Sequence, residues 1–164
     1  MSDILRLFLI IILLTIGLSA YFLVAGALFP QRVAKTKAMI QSVPGRASGV
    51  GLVNFVFFTV IAIVLFSVAE NAGAFIKGVL TIPAIVIIAF LAIMLSFGLA
   101  AMANLLGERL FPELARWKQT IWGTVCLSFA CSVPFAGWFL LLPYTGFVGV
   151  GAFILGFFQR EPKS

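Results

Sequence analysis

The ionisable side chains of this sequence are few, and their positions decide which chemistry it can carry. The acidic residues all lie at the ends of apolar stretches or between them; they are Asp3, Glu70, Glu108, Glu113 and Glu161. Acid–base and nucleophilic catalysis both need a base beside the reacting group, and the sequence contains no histidine. No charged residue interrupts an apolar stretch, where it would indicate a functional site. We therefore predict that the chain is not an enzyme.

The two cysteines, Cys126 and Cys131, are the remaining residues with reactive side chains. Five positions apart on one predicted helix, they lie on different faces and are poorly placed to form a disulfide. Two cysteines without histidine do not make a zinc site. We expect both to be small apolar packing residues, with no metal and no cofactor bound by the chain.

The composition is that of a protein dissolved in lipid. Apolar residues make up 63% of the chain and charged residues 10%, and the mean hydropathy is +1.21. Soluble domains are closer to half apolar and about a quarter charged. The net charge of +6 is interpreted as loop charge that sets membrane orientation, because no basic block with interleaved aromatic residues indicates nucleic-acid binding.

The apolar stretches predict an all-α integral membrane protein with a single transmembrane domain over residues 1–164. It would consist of three transmembrane helices followed by a C-terminal apolar helical hairpin, with short amphipathic segments at the interface. The first stretch is too long for a signal peptide and is predicted to be retained. The predicted spans are about 7–29, 47–69, 80–107, 119–133 and 138–158.

The hairpin follows from a run of 40 residues, 119–158, that holds no charged side chain. A bilayer core about 30 Å thick accommodates roughly 20 helical residues, so this run is long enough for two crossings. Pro134 and Gly137 place the turn between them, because proline removes a backbone donor and glycine tolerates turn conformations. The alternative turn lies at residues 143–146.

Two basic segments separate the spans. Residues 30–44 are predicted to form a short amphipathic helix in the headgroup layer, with a plain solvated loop as the alternative. Residues 108–118 are predicted to form a second surface helix. In the third span, Pro83 suits the first turn of a helix that starts near Thr81.

Small and amide residues in the spans are candidates for helix packing. Gly45 and Gly49 form a GxxxG pair, a spacing that allows helices to approach closely. Asn54 and Asn104 are predicted to hydrogen-bond to neighbouring helices. Together with Pro134 and Gly137, these residues complete the set of candidate structural positions.

Charge asymmetry predicts the orientation. With three spans and a returning hairpin, one side of the membrane holds nine basic residues and the other holds only Arg6 and Lys77. Positively charged loops stay in the cytoplasm, so the N-terminus is expected outside and the C-terminus inside. A single crossing by the last stretch would divide the same residues seven to four.

Three short motifs resemble one family of membrane domains. They are LFPQRV at residues 28–33, PFAGW at 134–138 and GVGA at 149–152. In this order they resemble the C-terminal membrane domain of bacterial bactofilin-like, polymer-forming proteins. No β-helical polymer domain precedes the first span here, so the resemblance implies a stand-alone module that anchors or partners a scaffold. It implies no catalytic residues.

These features together favour a non-enzymatic, multi-pass protein in the inner membrane of a bacterium. We expect it to act as a structural, anchoring or accessory subunit that assembles with itself or with a larger membrane complex. Apart from such an assembly, the expected partner is the lipid bilayer. The alternative is a subunit of a small-solute channel or transporter, because broken helices such as the one predicted at Pro134 also line binding sites in transporters.

Overall fold

A computed structural model describes residues 2–133 and 135–158, and these residues form helices and no strands. Helix α1 begins near the N-terminus, and the connections between successive helices are short. The helices are α1 (Ser2–Leu28), α2 (Pro30–Ser42), α3 (Pro44–Glu70), α4 (Ala74–Leu110), α5 (Arg116–Ser132) and α6 (Leu142–Phe158). A π-helical segment, Ala136–Leu141, leads directly into α6.

The prediction of an all-α membrane protein is confirmed at this coarse level. Four stretches in the described residues are long and apolar enough to cross a membrane: Leu5–Leu28, Pro44–Glu70, Ala74–Leu110 and Phe139–Phe158. Helix α5, which has 17 residues, is not among them. At a rise of 1.5 Å per residue the helix is about 26 Å long, slightly less than the thickness of a bilayer core.

Contacts between the helices define their directions. Ala103 of α4 faces Gly123 of α5, and Gly107 faces Gln119, so these two helices are antiparallel. Gly98 of α4 faces Gly149 of α6, and the Leu95 side chain approaches Gly146, so α4 and α6 are parallel. Helix α3 runs antiparallel to α6, because Ala47 and Gly51 meet Gly151 and Phe147 respectively.

These directions give the bundle two distinct ends. One holds α2 and the connection 111–115, together with the start of α3 and the end of α6; we call it the α2 end. The opposite end holds the start of α1, the connection 71–73 and the break that follows α5. Of the nine basic residues in the described ranges, seven belong to the α2 end: Arg32, Lys35, Lys37, Arg46, Arg109, Arg116 and Lys118.

Helix α4 occupies the centre of the bundle. Helix α5 packs on α4 and α1, whereas α6 packs on α4, α3 and α2. Both arms of the predicted hairpin therefore pack on α4 and otherwise have different neighbours, and the π-helical segment provides the main contact between them. Each arm carries a glycine that fits against α4: Gly123 on α5 and Gly149 on α6.

The prediction that the third span starts near Thr81 is wrong. Helix α4 begins at Ala74 and contains Pro83 in its interior. Proline at this position leaves one carbonyl of the preceding turn without its helical donor, a defect that membrane helices tolerate. The Thr81 hydroxyl donates to the Lys77 carbonyl oxygen at 2.7 Å in the same turn.

The two basic segments differ from each other. The first is a helix, α2, so the loop alternative is wrong; Val33, Met39 and Ile40 are buried in a cluster with residues of α3, α4 and α6. The second is not a separate surface helix. Residues 108–110 complete α4, residues 111–115 form the connection, and α5 begins at Arg116. Gln119 supports this connection, since its amide donates to the carbonyl oxygens of Phe111 and Pro112.

The helix break in the last apolar stretch lies where it was predicted. Helix α5 ends at Ser132, and Phe135 adopts φ 67° and ψ −63°, outside any helical conformation. Pro134 itself lies outside the described residues. The alternative turn at 143–146 does not form, because α6 continues through Pro143. Pro143 cannot donate to the preceding turn, and the helix there has the wider π spacing.

Candidate functional site

Gly45 and Gly49, the predicted GxxxG packing pair, do not pack within the described chain. A Cβ atom built on either residue meets no atom within 4 Å, and both residues are exposed. The close approach on α3 occurs at Gly51 instead, where an added Cβ would collide with the Phe147 carbonyl group. The GxxxG pair therefore lies in the first turns of α3, and both glycines face outward.

Other glycines lie at the closest helix crossings, where α4 meets α5 and where α3 meets α6. A Cβ on Gly151 would meet the Ala47 carbonyl, and one on Gly123 would meet the Ala103 carbonyl. A Cβ on Gly107 would clash with the backbone of Gln119. At these crossings the backbones touch directly, which maximises dispersion contact in a setting where lipid supplies no hydrophobic drive.

The two predicted amides behave differently. Asn104 donates to the Ala100 carbonyl of its own helix at 2.9 Å, and its Oδ1 accepts a hydrogen bond from the Thr120 hydroxyl of α5 at 2.5 Å. The prediction of a bond between helices is confirmed for Asn104. It is wrong for Asn54, whose side chain donates to the Val50 carbonyl one turn earlier in α3.

Gly137 is buried against the end of α5. A Cβ there would lie 2.6 Å from the Ala130 carbonyl oxygen and would also meet that of Cys131. Its φ is not positive; the positive φ belongs to Phe135. Gly137 is therefore required for space, and the prediction that it supplies a turn conformation is wrong.

Hydroxyl groups inside the spans are largely satisfied by their own helices. Thr15, Ser96, Thr124 and Thr145 each donate to the carbonyl four residues earlier at 2.7 Å. Such bonds remove the donor without creating a reactive group. The described residues contain no cluster of three or more metal-ligating side chains.

Charged and polar side chains converge at one place, a pocket at the α2 end between α1, α2, α4 and α5. Lys37 of α2 donates to both carboxylate oxygens of Glu108 of α4, at 2.5 and 2.6 Å. Arg116 and Trp117 of α5 complete the rim, and the pocket volume is about 450 Å³. We call this the outer pocket. The Arg116 guanidinium has no hydrogen-bond or ion-pair partner among the residues that the structure describes.

A second pocket lies deeper in the bundle along the same helices. It has a volume of about 360 Å³ and an almost wholly apolar lining from α1, α4, α5 and α6. Leu18, Leu99 and Leu127 are among its walls. We call this the inner pocket. Phe22, a buried residue of α1, lines both pockets, so the two are adjacent.

The outer pocket was not predicted from the sequence. Lys37 and Glu108 are 71 residues apart, and each resembles an ordinary loop charge beside a span. Glu108 lies in the last turn of α4, and the placement of α2 against α4 brings Lys37 to it. The arrangement has the charge and hydrogen-bonding groups to bind an anion, a polar headgroup or a peptide carboxylate.

Comparisons with known proteins identify no relative. No family model, no curated protein and no solved structure matches the chain. The resemblance to bactofilin-like membrane domains stays a hypothesis.

Proposed function

We propose that this chain is a non-enzymatic, multi-pass membrane protein that acts as a structural or accessory subunit of a larger membrane assembly. The observation that carries the proposal is the direct backbone contact between α4 and both α5 and α6. Gly98 against Gly149 and Gly107 against Gln119 hold these helices too close for a solute path between them. A rigid block of this kind suits an anchor for other membrane proteins.

The outer faces of the bundle support the same role. Helix α3 presents a row of exposed, large apolar side chains that includes Val53, Phe57 and Val60. Its first turns also expose the Gly45–Gly49 pair, which leaves room for another helix to approach. Since these glycines have no close neighbour among the residues that the structure describes, we propose that they contact a second copy or a partner helix.

Purification of the full chain in mild detergent, with crosslinking in the membrane before extraction, tests this role. We expect a homo-oligomer or a stoichiometric partner, and we expect Gly49→Leu to reduce its recovery several-fold. Gly17→Leu is the matched control, because Gly17 also has open space around it. Recovery of a monomer alone after crosslinking would contradict the proposal.

A channel or transporter subunit is the second candidate, and the outer pocket favours it. The pocket gives the α2 end a polar mouth that leads toward the inner pocket. Swelling of liposomes that contain the purified chain, with small neutral solutes, tests this function. Permeation that is abolished by Leu99→Trp in the inner pocket would favour the channel over the accessory role.

The finer localisation is also a proposal. We infer that the α2 end faces the cytoplasm of a bacterium and that the N-terminus lies outside. The gathering of seven described basic residues at the α2 end supports this orientation through the positive-inside rule.

A further inference from the structure

We infer that the cleft formed by the outer and inner pockets is a binding site for an anionic phospholipid. Its phosphate would lie at Arg116 in the outer pocket, and one acyl chain would pass Phe22 into the inner pocket. This inference goes beyond the accessory role and does not rest on it, because it uses only the cleft that α1, α4 and α5 form with parts of α2 and α6.

The polarity of the cleft changes in the order that a phospholipid requires. The outer pocket contains the Lys37–Glu108 pair, the Asn104–Thr120 hydrogen bond and the indole of Trp117, all at the α2 end. The inner pocket has an almost wholly apolar lining, in which Leu18, Leu99 and Leu127 take part. Tryptophan and basic residues are typical of the headgroup level of membrane proteins.

The charge of the outer pocket favours an anionic headgroup. Lys37 and Glu108 neutralise each other, so the exposed Arg116 leaves the pocket with a net positive charge. Guanidinium groups bind phosphate oxygens through two parallel hydrogen bonds. Basic pockets between transmembrane helices are a recurring setting for acidic lipid headgroups.

The length of the cleft fits an acyl chain. The residues of α1 that line the cleft run from Ile11 to Ala27, about 24 Å at 1.5 Å per residue. That length covers the headgroup boundary and one leaflet's depth of about 15 Å.

Native mass spectrometry of the full chain in detergent tests the headgroup contact. Phosphatidylglycerol and phosphatidylcholine with the same chains are added in equal amounts, and their bound fractions are compared. Arg116→Gln should lower the preference for phosphatidylglycerol about fivefold, the usual effect of one interfacial basic residue. Glu108→Gln should raise it, because it frees Lys37 for the headgroup.

Arg109→Gln is the matched control for general surface charge. Arg109 is an exposed basic residue at the same end, and it does not line the pocket. An equal loss of preference in Arg109→Gln and Arg116→Gln would overturn the site. So would a Glu108→Gln protein whose preference is unchanged or lower.

The acyl-chain contact is tested with the wild-type protein, so that folding is not in question. Dioctanoyl and dioleoyl phosphatidylglycerol share a headgroup and differ only in their acyl chains, and we expect the long-chain lipid to be retained at least tenfold better. Soluble glycerol phosphate should not displace it at the same concentration. Equal retention of both lipids, or displacement by glycerol phosphate, would overturn a lipid site in favour of a phosphate-ester site.

Leu99→Trp, compared with Leu13→Trp on the exposed face of α1, should selectively weaken retention of the long chain.

Discussion

Gly98 of α4 and Gly149 of α6 lie backbone against backbone. A Cβ atom built on Gly149 would be 2.7 Å from the Gly98 Cα and 2.9 Å from its carbonyl carbon. Real Cβ atoms do not approach backbone atoms this closely, and neither backbone can move without shifting its whole helix. This contact determines the separation of α4 from α6.

Gly149→Ala should therefore lower the free energy of unfolding in detergent by about 1–3 kcal/mol, the usual cost of overpacking. Gly78→Ala is the control, since a Cβ there meets no atom within 4 Å. Alanine favours a helix over glycine by up to about 1 kcal/mol, so the control should be unchanged or more stable. Thermal denaturation followed by circular dichroism measures both variants, and equal stability of the two would contradict the observed crossing.

The Asn104–Thr120 hydrogen bond links α4 to α5 and should be measurable as a coupling. A double-mutant cycle with Asn104→Leu and Thr120→Val should give about 0.6 kcal/mol, and seldom above about 2 kcal/mol for such bonds in membranes. Asn54→Leu is the control and should be neutral within about 0.5 kcal/mol, because its amide bonds only to its own helix. Additive effects in the cycle would indicate that the two side chains do not interact.

The contrast between Asn54 and Asn104 shows why the sequence predicted the class and the helix break but not the packing. Apolar runs and Pro134 are local signals, so the spans and the break could be predicted. Both amides have the same local surroundings, namely small and apolar neighbours within one span. Which of them meets another helix depends on the rotation of that helix, and the weak amphipathicity of these spans leaves rotation undetermined.

The same reason explains the glycines and the outer pocket. Gly49 and Gly51 are two residues apart, yet one is exposed and the other touches Phe147. Only the position of α6 distinguishes them. The Lys37–Glu108 pair likewise depends on how α2 folds against α4. The spacing of residues in the sequence does not predict that contact.

The Lys37–Glu108 ion pair should contribute modestly to stability, because both side chains are partly exposed. Lys37→Glu and Glu108→Lys should each lower stability, and the double exchange should recover most of the loss. We expect a coupling of roughly 0.5–1 kcal/mol that decreases as salt is raised. Glu113→Lys, which reverses an acidic residue at the same end that forms no ion pair within residues 2–133 and 135–158, controls for net charge. A double exchange no better than the worse single variant would contradict the pairing.

The proposed orientation predicts opposite labelling at the two ends of the bundle. In a variant with Cys126 and Cys131 replaced by alanine, a single cysteine is placed at Gln31 in α2 or at Gly73 before α4. Both positions are exposed. A membrane-impermeant maleimide should label Gly73→Cys in intact cells and Gln31→Cys only after permeabilisation. Labelling of both in intact cells would place both ends outside and contradict the helix directions.

The break between α5 and α6 predicts a stabilising glycine at an unusual place. Phe135 has φ 67° and ψ −63°, close to the strained γ-turn conformation that side chains with a Cβ disfavour. Its ring is 81% exposed, so its removal costs little packing inside the chain. The turn is closed by donation from the Gly137 amide to the Val133 carbonyl at 2.9 Å.

Phe135→Gly should accordingly be more stable than Phe135→Ala by about 1 kcal/mol. Residues held in such backbone regions cost of order 1–3 kcal/mol, and the greater freedom of glycine in the unfolded chain offsets part of the gain. Both variants lack the ring, so the comparison isolates the backbone term from loss of the Phe135–Phe139 stacking. The readout is the midpoint of thermal denaturation in the same detergent. If alanine were as stable as glycine here, the positive φ at Phe135 would be wrong, and the geometry of the break that carries the chain from α5 into α6 would have to differ.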